Sequence, residues 1–161
     1  MDNSGAREQY HLHNEFFNVS RLSRNSGNGF QELLFGLLNQ PAQTMDKEVT
    51  SECTNFLFAE RHDGVFGSDL VAANIQRGRD HGVPSFCCYY KLYHDGNFDC
   101  HTSGWDKKYD GFSHSNWALL QTIYEKPSDI DLFTGGVAQE PHNGGLTGKV
   151  FNVMKGNHSK K

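Results

Sequence analysis

Asp69 to Phe86 reads D-L-V-A-A-N-I-Q-R-G-R-D-H-G-V-P-S-F. The spacing predicts a helix over about 69–80, with Ser68 as its cap and Gly82 then Pro84 closing it in the usual order. Leu70, Ala73, Asn74 and Arg77 fall at i, i+3, i+4 and i+7 and therefore share one face. Asn74 stands among Val71, Ala72, Ala73 and Ile75, so its amide is expected to be buried. A buried amide without partners costs about 1–3 kcal/mol. One turn on, the Arg77 fork suits a carboxylate, and the small Ala73 leaves room for a flat or bulky group to approach. This face therefore asks for a polar partner and an anion. The plainer alternative is an ordinary helix whose Asn and Arg satisfy neighbouring loops, with Arg79 and Asp80 at the surface or in salt bridges.

Working outward, residues 29–38 give the clearest amphipathic pattern. Phe30, Leu33, Leu34, Leu37 and Leu38 form a wide apolar stripe, with Asn28 as cap and Pro41 as stop. A second helix is expected over 45–58 behind Thr44, with Met45, Val49, Cys53, Phe56 and Leu57 on its stripe, which makes Cys53 a core residue. A short helix fits 86–93, and another starts at a Ser115 cap, carries Trp117, Leu120 and Tyr124, and ends at Pro127. Residues 94–114 show no period and are full of Gly, Asp, His and Ser, as a functional loop or an unpartnered surface would be. No strand alternation persists. The expected fold is mainly α, a partial helical domain with long irregular loops. Residues 1–27 are expected to form an irregular N-terminal segment, 28–154 the partial domain and 155–161 a polar tail.

The chain has 161 residues, one domain by size. Its hydrophobic content is 36%, and its mean hydropathy is −0.66. Fifteen Lys and Arg against 19 Asp and Glu give a net charge of −4, which is no footprint for nucleic acid. No apolar run is long enough to span a membrane. Met1 to Arg7 lack the apolar stretch of a secretory signal, so on its face the chain stays in the cytosol. Cys53, Cys87, Cys88 and Cys100 do not have the density or spacing of a disulfide scaffold. The cluster of Cys87, Cys88, His94, Cys100 and His101 lacks zinc-site spacing. His11 and His13 alternate like one face of a strand, which is little evidence for a site.

The segment 69–86 resembles the signature of animal-type haem peroxidases, the group that contains myeloperoxidase, peroxidasin and peroxinectin. Three further stretches are similar to that family in its order: G-L-L-N-Q-P-A-Q-T-M-D at 36–46, Y-E-K-P-S-D-I-D-L-F-T-G-G at 124–136 and G-G-L-T-G-K-V-F at 144–151. The resemblance implies that Asn74 accepts a hydrogen bond from the histidine that ligates haem iron, which makes the ligand more electron-rich. It implies that Arg77 pairs with a haem propionate, and that Leu70 and Ala73 face the porphyrin. The implied activity is H2O2-dependent oxidation of a small electron donor, of the kind used in oxidative stress.

Peroxidase chemistry also needs a distal His, a distal Arg and the axial His. In the family these precede the part matched here, the axial His in an F-R-x-G-H-like segment, and so does the calcium-binding loop. None of them is found in this sequence; His11 and His13 stand too close to Phe16 and lack that context. Tyr93 stands where many relatives have a disulfide cysteine, Lys149 stands where Pro is usual, and the sequence after Met154 departs from the family pattern. The expectation is therefore a middle-to-late portion of a catalytic domain, possessing haem contacts but no catalytic residues or metal ligand of its own. The missing remainder of the domain would be its partner. The alternative is a catalytically inert, truncated or partner-dependent helical remnant. Relatives of this family are largely secreted, which leaves localisation open beside the absent signal.

Overall fold

The computed structural model describes residues 11–16, 18–59, 67–93, 99, 104–142 and 144–158, with side chains as far as Lys155. The fold is mainly α. Eight helices follow one another among the described residues: α1 (Ser20–Ser23), α2 (Gly29–Asn39), α3 (Ser51–Thr54), α4 (Leu70–Asp80), α5 (Phe86–Tyr93), α6 (His114–Ile123), α7 (Leu132–Ala138) and α8 (Lys149–His158). Single 3-10 turns occur at Leu12–Glu15, Asn25–Gly27 and Pro127–Asp129. The chain divides into two compact units, one of residues 1–43 and 50–71, the other of 44–49 and 72–161. No helix among the described residues is long and apolar enough to cross a membrane.

In the first unit, α2 forms where its apolar spacing predicts, and Gln40 turns extended ahead of Pro41, as the residue before a proline must. Asn28 makes no side-chain cap, because its own backbone is already helical (φ −80°, ψ −8°). The apolar stripe is not buried: Phe30, Leu33, Leu34, Phe35, Leu37 and Leu38 are all exposed. Leu57 and Ser68 join in an isolated antiparallel bridge. The H-x-H segment is not a strand, for a 3-10 turn begins at Leu12.

The helix expected over 45–58 does not form. Only Ser51–Thr54 is helical, and two side chains explain why. The Asp46 carboxylate accepts the Glu48 backbone N–H at 2.7 Å, giving that backbone a partner outside any helix. Thr50 then starts a fresh helix, its hydroxyl accepting from the Glu52 N–H. Cys53 is half-buried and reduced rather than part of a packed core.

The second unit holds the core. Phe86, Tyr90, Tyr109, Phe112, Trp117, Leu120, Ile130 and Val150 are buried. Their rings interlock: Tyr90 stacks on Tyr109 at 4.8 Å, and Phe112 meets Phe86 edge-on at 5.4 Å. Tyr109 and Phe112 come from the aperiodic 94–114 stretch, so its described end, 104–114, contributes to the core and is not merely a loop. His94, Cys100 and His101 lie outside the described residues. Cys87 is disulfide-bonded and Cys88 is free. Since a bonded sulfur carries no proton, the Tyr109 hydroxyl is the donor in its 3.0 Å contact with Cys87 Sγ. Burial pushes the Tyr109 phenol well above its ordinary pKa, so it remains a donor.

Helix α6 begins at His114 behind Ser113, whose hydroxyl accepts from Asn116 N–H. The cap is therefore Ser113 rather than Ser115. The paired glycines of D-L-F-T-G-G have a steric reason. A Cβ on Gly135 would collide with the Phe86 ring, and one on Gly136 with the Phe151 ring. Gln139 is 4% exposed yet satisfied at both ends. Its amide N–H donates to Asp110 O at 3.1 Å, and its oxygen accepts from Val150 N–H at 3.2 Å. Its side chain fills the space where a Cβ on Gly148 would stand, which accounts for the glycine before α8.

Candidate functional site

Helix α4 spans Leu70–Asp80. Its start is capped by Asp69, whose carboxylate accepts the Val71 N–H at 2.8 Å; Ser68 instead donates its backbone N–H to Leu57 O. Its end is a Schellman turn. Val83 N–H reaches Gly78 O at 2.9 Å, Gly82 N–H reaches Arg79 O at 3.1 Å, and Gly82 takes φ +63°. R-G-R-D-H-G-V-P is therefore a helix stop as well as a row of functional groups.

Asn74 and Arg77 meet directly. The Arg77 guanidinium donates to Asn74 Oδ1 at 2.7 Å. A guanidinium has no acceptor, so the amide oxygen must face it, and the orientation of Asn74 is thereby fixed. A carbonyl oxygen has two lone pairs, so Oδ1 retains capacity for a second donor. Asn74 is half-buried rather than buried, because it borders a cavity of about 220 Å³ instead of packed side chains. Ile75, Gly78, Val83, Leu132, Phe133 and Phe151 line that cavity with it, beside Asp131. Leu70 is half-buried at the first turn of α4, and Ala73 and Arg77 are exposed; none of these three lines the cavity.

Among the described residues, a carboxylate of the chain itself meets Arg79 of the same helix. Arg79 makes a bidentate pair with Asp131, at 2.9 Å from Nε and 2.7 Å from the terminal nitrogen. Tyr124 donates its hydroxyl to the same carboxylate at 2.8 Å. The Arg79 hydrogen bonds hold the Asp131 carboxyl below its usual pKa, against the opposing effect of its burial. Burial raises the Tyr124 phenol, so it stays protonated as a donor. The salt-bridge role for Arg79 follows from the sequence; its partner does not. The only hint is the Asp129-Ile130-Asp131 run, in which Ile130 is fully buried and Asp131 turns towards α4.

The chain is similar to chorion peroxidase of Aedes aegypti, 38% identical over 125 residues, covering 77% of this chain and 14% of that protein. It is similar to lactoperoxidase of Mus musculus, 33% identical over 159 residues, covering 94% of this chain and 21% of that protein. Among solved structures it resembles peroxidase A of Dictyostelium discoideum, with a TM-score of 0.66 and 25% identity, covering 86% of this chain and 25% of the other. The chain thus spans between about a seventh and a quarter of the length of these relatives. The sequence model of the animal haem peroxidases matches residues 1–161, and the chain belongs to that family.

Proposed function

We propose that this chain is a segment of a haem peroxidase that oxidises a small donor with H2O2, and that α4 supplies one edge of the cofactor site. The observation that carries this reading is the Arg77 guanidinium bonded to Asn74, which lines the cavity. The residues present fit the periphery of haem but not its iron. They offer an oriented amide acceptor and a guanidinium, and no histidine is among the cavity's lining residues. The cavity of about 220 Å³ is also smaller than the roughly 300–1,000 Å³ of typical ligand pockets, so a ligand-sized site needs further walls beyond the described residues.

When bound, haem supplies the redox-active iron at which peroxide is reduced. Asn74 Oδ1, with Arg77 fixing its direction, would accept the ring N–H of an imidazole that held the iron and keep that proton in place. Arg77 has further N–H donors for a propionate. Leu70 and Ala73 supply apolar contact to the porphyrin face. The axial His, distal His, distal Arg and calcium loop belong to the remainder of the domain, of which residues 28–154 form part. The exposed stripe of α2 supports the same reading, since contiguous apolar surface of this kind marks a missing partner.

The second reading, a catalytically inert helical remnant, is favoured by the small size of the cavity. Immunoprecipitation of the native protein with an antibody to residues 104–161, followed by mass spectrometry and a Soret scan, separates the two. Recovery of a longer, haem-containing polypeptide with an F-R-x-G-H segment is the expected result. Recovery of only a haem-free 18.2 kDa chain would overturn the peroxidase assignment and leave the remnant.

A further inference from the structure

The H-x-H pair has no role in the haem reading, yet the fold of the first unit gives it a third partner. His11 caps the 3-10 turn Leu12–Glu15, His13 lies inside it, and Glu52 comes from α3. One nitrogen from each ring and one Glu52 oxygen lie within 4.8 Å of one another. His13 Nδ1 is 2.8 Å from Glu52 Oε2, and His11 Nδ1 is 3.8 Å from Oε1. Each carboxylate oxygen thus faces one imidazole.

We propose that His11, His13 and Glu52 form a zinc site that clips the N-terminal 3-10 turn to α3. Zinc takes His nitrogen and carboxylate oxygen at about 2.0–2.2 Å, which sets tetrahedral ligands about 3.3 Å apart. The two observed separations run to different Glu52 oxygens, and the three ligand atoms lie within 4.8 Å of one another, so closure on one ion needs a rotation of His11, whose side chain is 77% exposed. Two imidazoles with one carboxylate suit zinc, whereas calcium and magnesium require oxygen ligands.

The supporting contacts are already in place. The His13 backbone N–H donates to Glu52 Oε2 at 2.6 Å, a bond that orients the carboxylate in the way an outer-shell partner does at a metal. The His13 ring is stacked at 4.5 Å on Phe56 and at 5.4 Å on His11, so its plane is fixed. A water would complete the fourth position. The site is independent of the haem reading.

The test is calorimetric titration of the full 161-residue chain with zinc chloride, run above the ordinary histidine pKa of about 6.5. A parallel Co2+ titration is read by its visible tetrahedral absorption. The expected result is one saturable equivalent, weakened on the order of tenfold or more in His11→Ala and in Glu52→Gln. His11→Ala is the deciding variant, because removing so exposed a ring leaves the fold intact, as circular dichroism checks. Absence of a saturable equivalent would overturn the proposal. So would one retained at full affinity in His11→Ala, since other His or Cys side chains would then be the ligands.

Discussion

Helix α2 and the segment 104–113 invert each other. Helix α2 has the most regular apolar spacing in the chain, yet Leu37 is 68% and Leu38 76% exposed. The 104–113 segment has no period at all, yet it sends Tyr109 (1% exposed) and Phe112 (3%) into the aromatic core. Periodicity reports which face of a helix is apolar. Whether that face is covered depends on what the rest of the chain provides. For α2 the described residues of its own unit provide no cover. Around Phe86 it provides rings from α5, α6 and the intervening segment, with Gly135 thinned to admit them.

The contrast can be broken by truncating each side. Phe86→Ala is expected to cost about 3–5 kcal/mol, because its ring is fully buried against Tyr109 and Phe112; urea unfolding measures it. Gly136→Ala should cost about 1–3 kcal/mol by overpacking, since the new methyl meets the Phe151 ring. A melting temperature equal to wild type would mean that α8 yields freely.

Acid sharpens the comparison through the Arg79–Asp131–Tyr124 cluster. The folded-state pKa of Asp131 is depressed below 3.8. Its contribution is therefore complete above the ordinary pKa and lost as the pH falls through the folded value. Wild type should lose stability below about pH 4 more steeply than Asp131→Asn, as melting curves across the acid range would show. Parallel curves would mean that the cluster adds nothing. At the small end, Leu37→Ala on the bare face of α2 should change stability by no more than about 0.5 kcal/mol. A loss comparable to that of Phe86→Ala would show that α2 is covered after all, for example by a second copy of the chain.

What was legible in the sequence follows the same division. The ends of α4 could be read within a residue or two, because a Gly with positive φ before Val83-Pro84 makes a local signal. The grouping of Asn74 with Arg77 was legible from helical spacing. Their direct bond was not, since i, i+3 spacing allows a contact without requiring it. The helix over 45–58 failed because Asp46 and Thr50 side chains redirect the backbone, a competition that apolar spacing does not register. The Arg79–Asp131 pair spans 52 positions, and no local pattern connects residues that distant. The same holds for His13 and Glu52, 39 apart.

We propose that Asn74 and Arg77 form one edge of a haem site whose iron ligand lies beyond the described residues. Titration of the purified chain with hemin, followed at the Soret band and then by addition of H2O2 and a phenolic donor, tests it most directly. The account predicts weak, non-saturating uptake without a shifted band and no turnover. A stoichiometric, shifted Soret band with turnover, abolished in Asn74→Ala or Arg77→Ala, would contradict it by showing that a histidine of this chain completes the site.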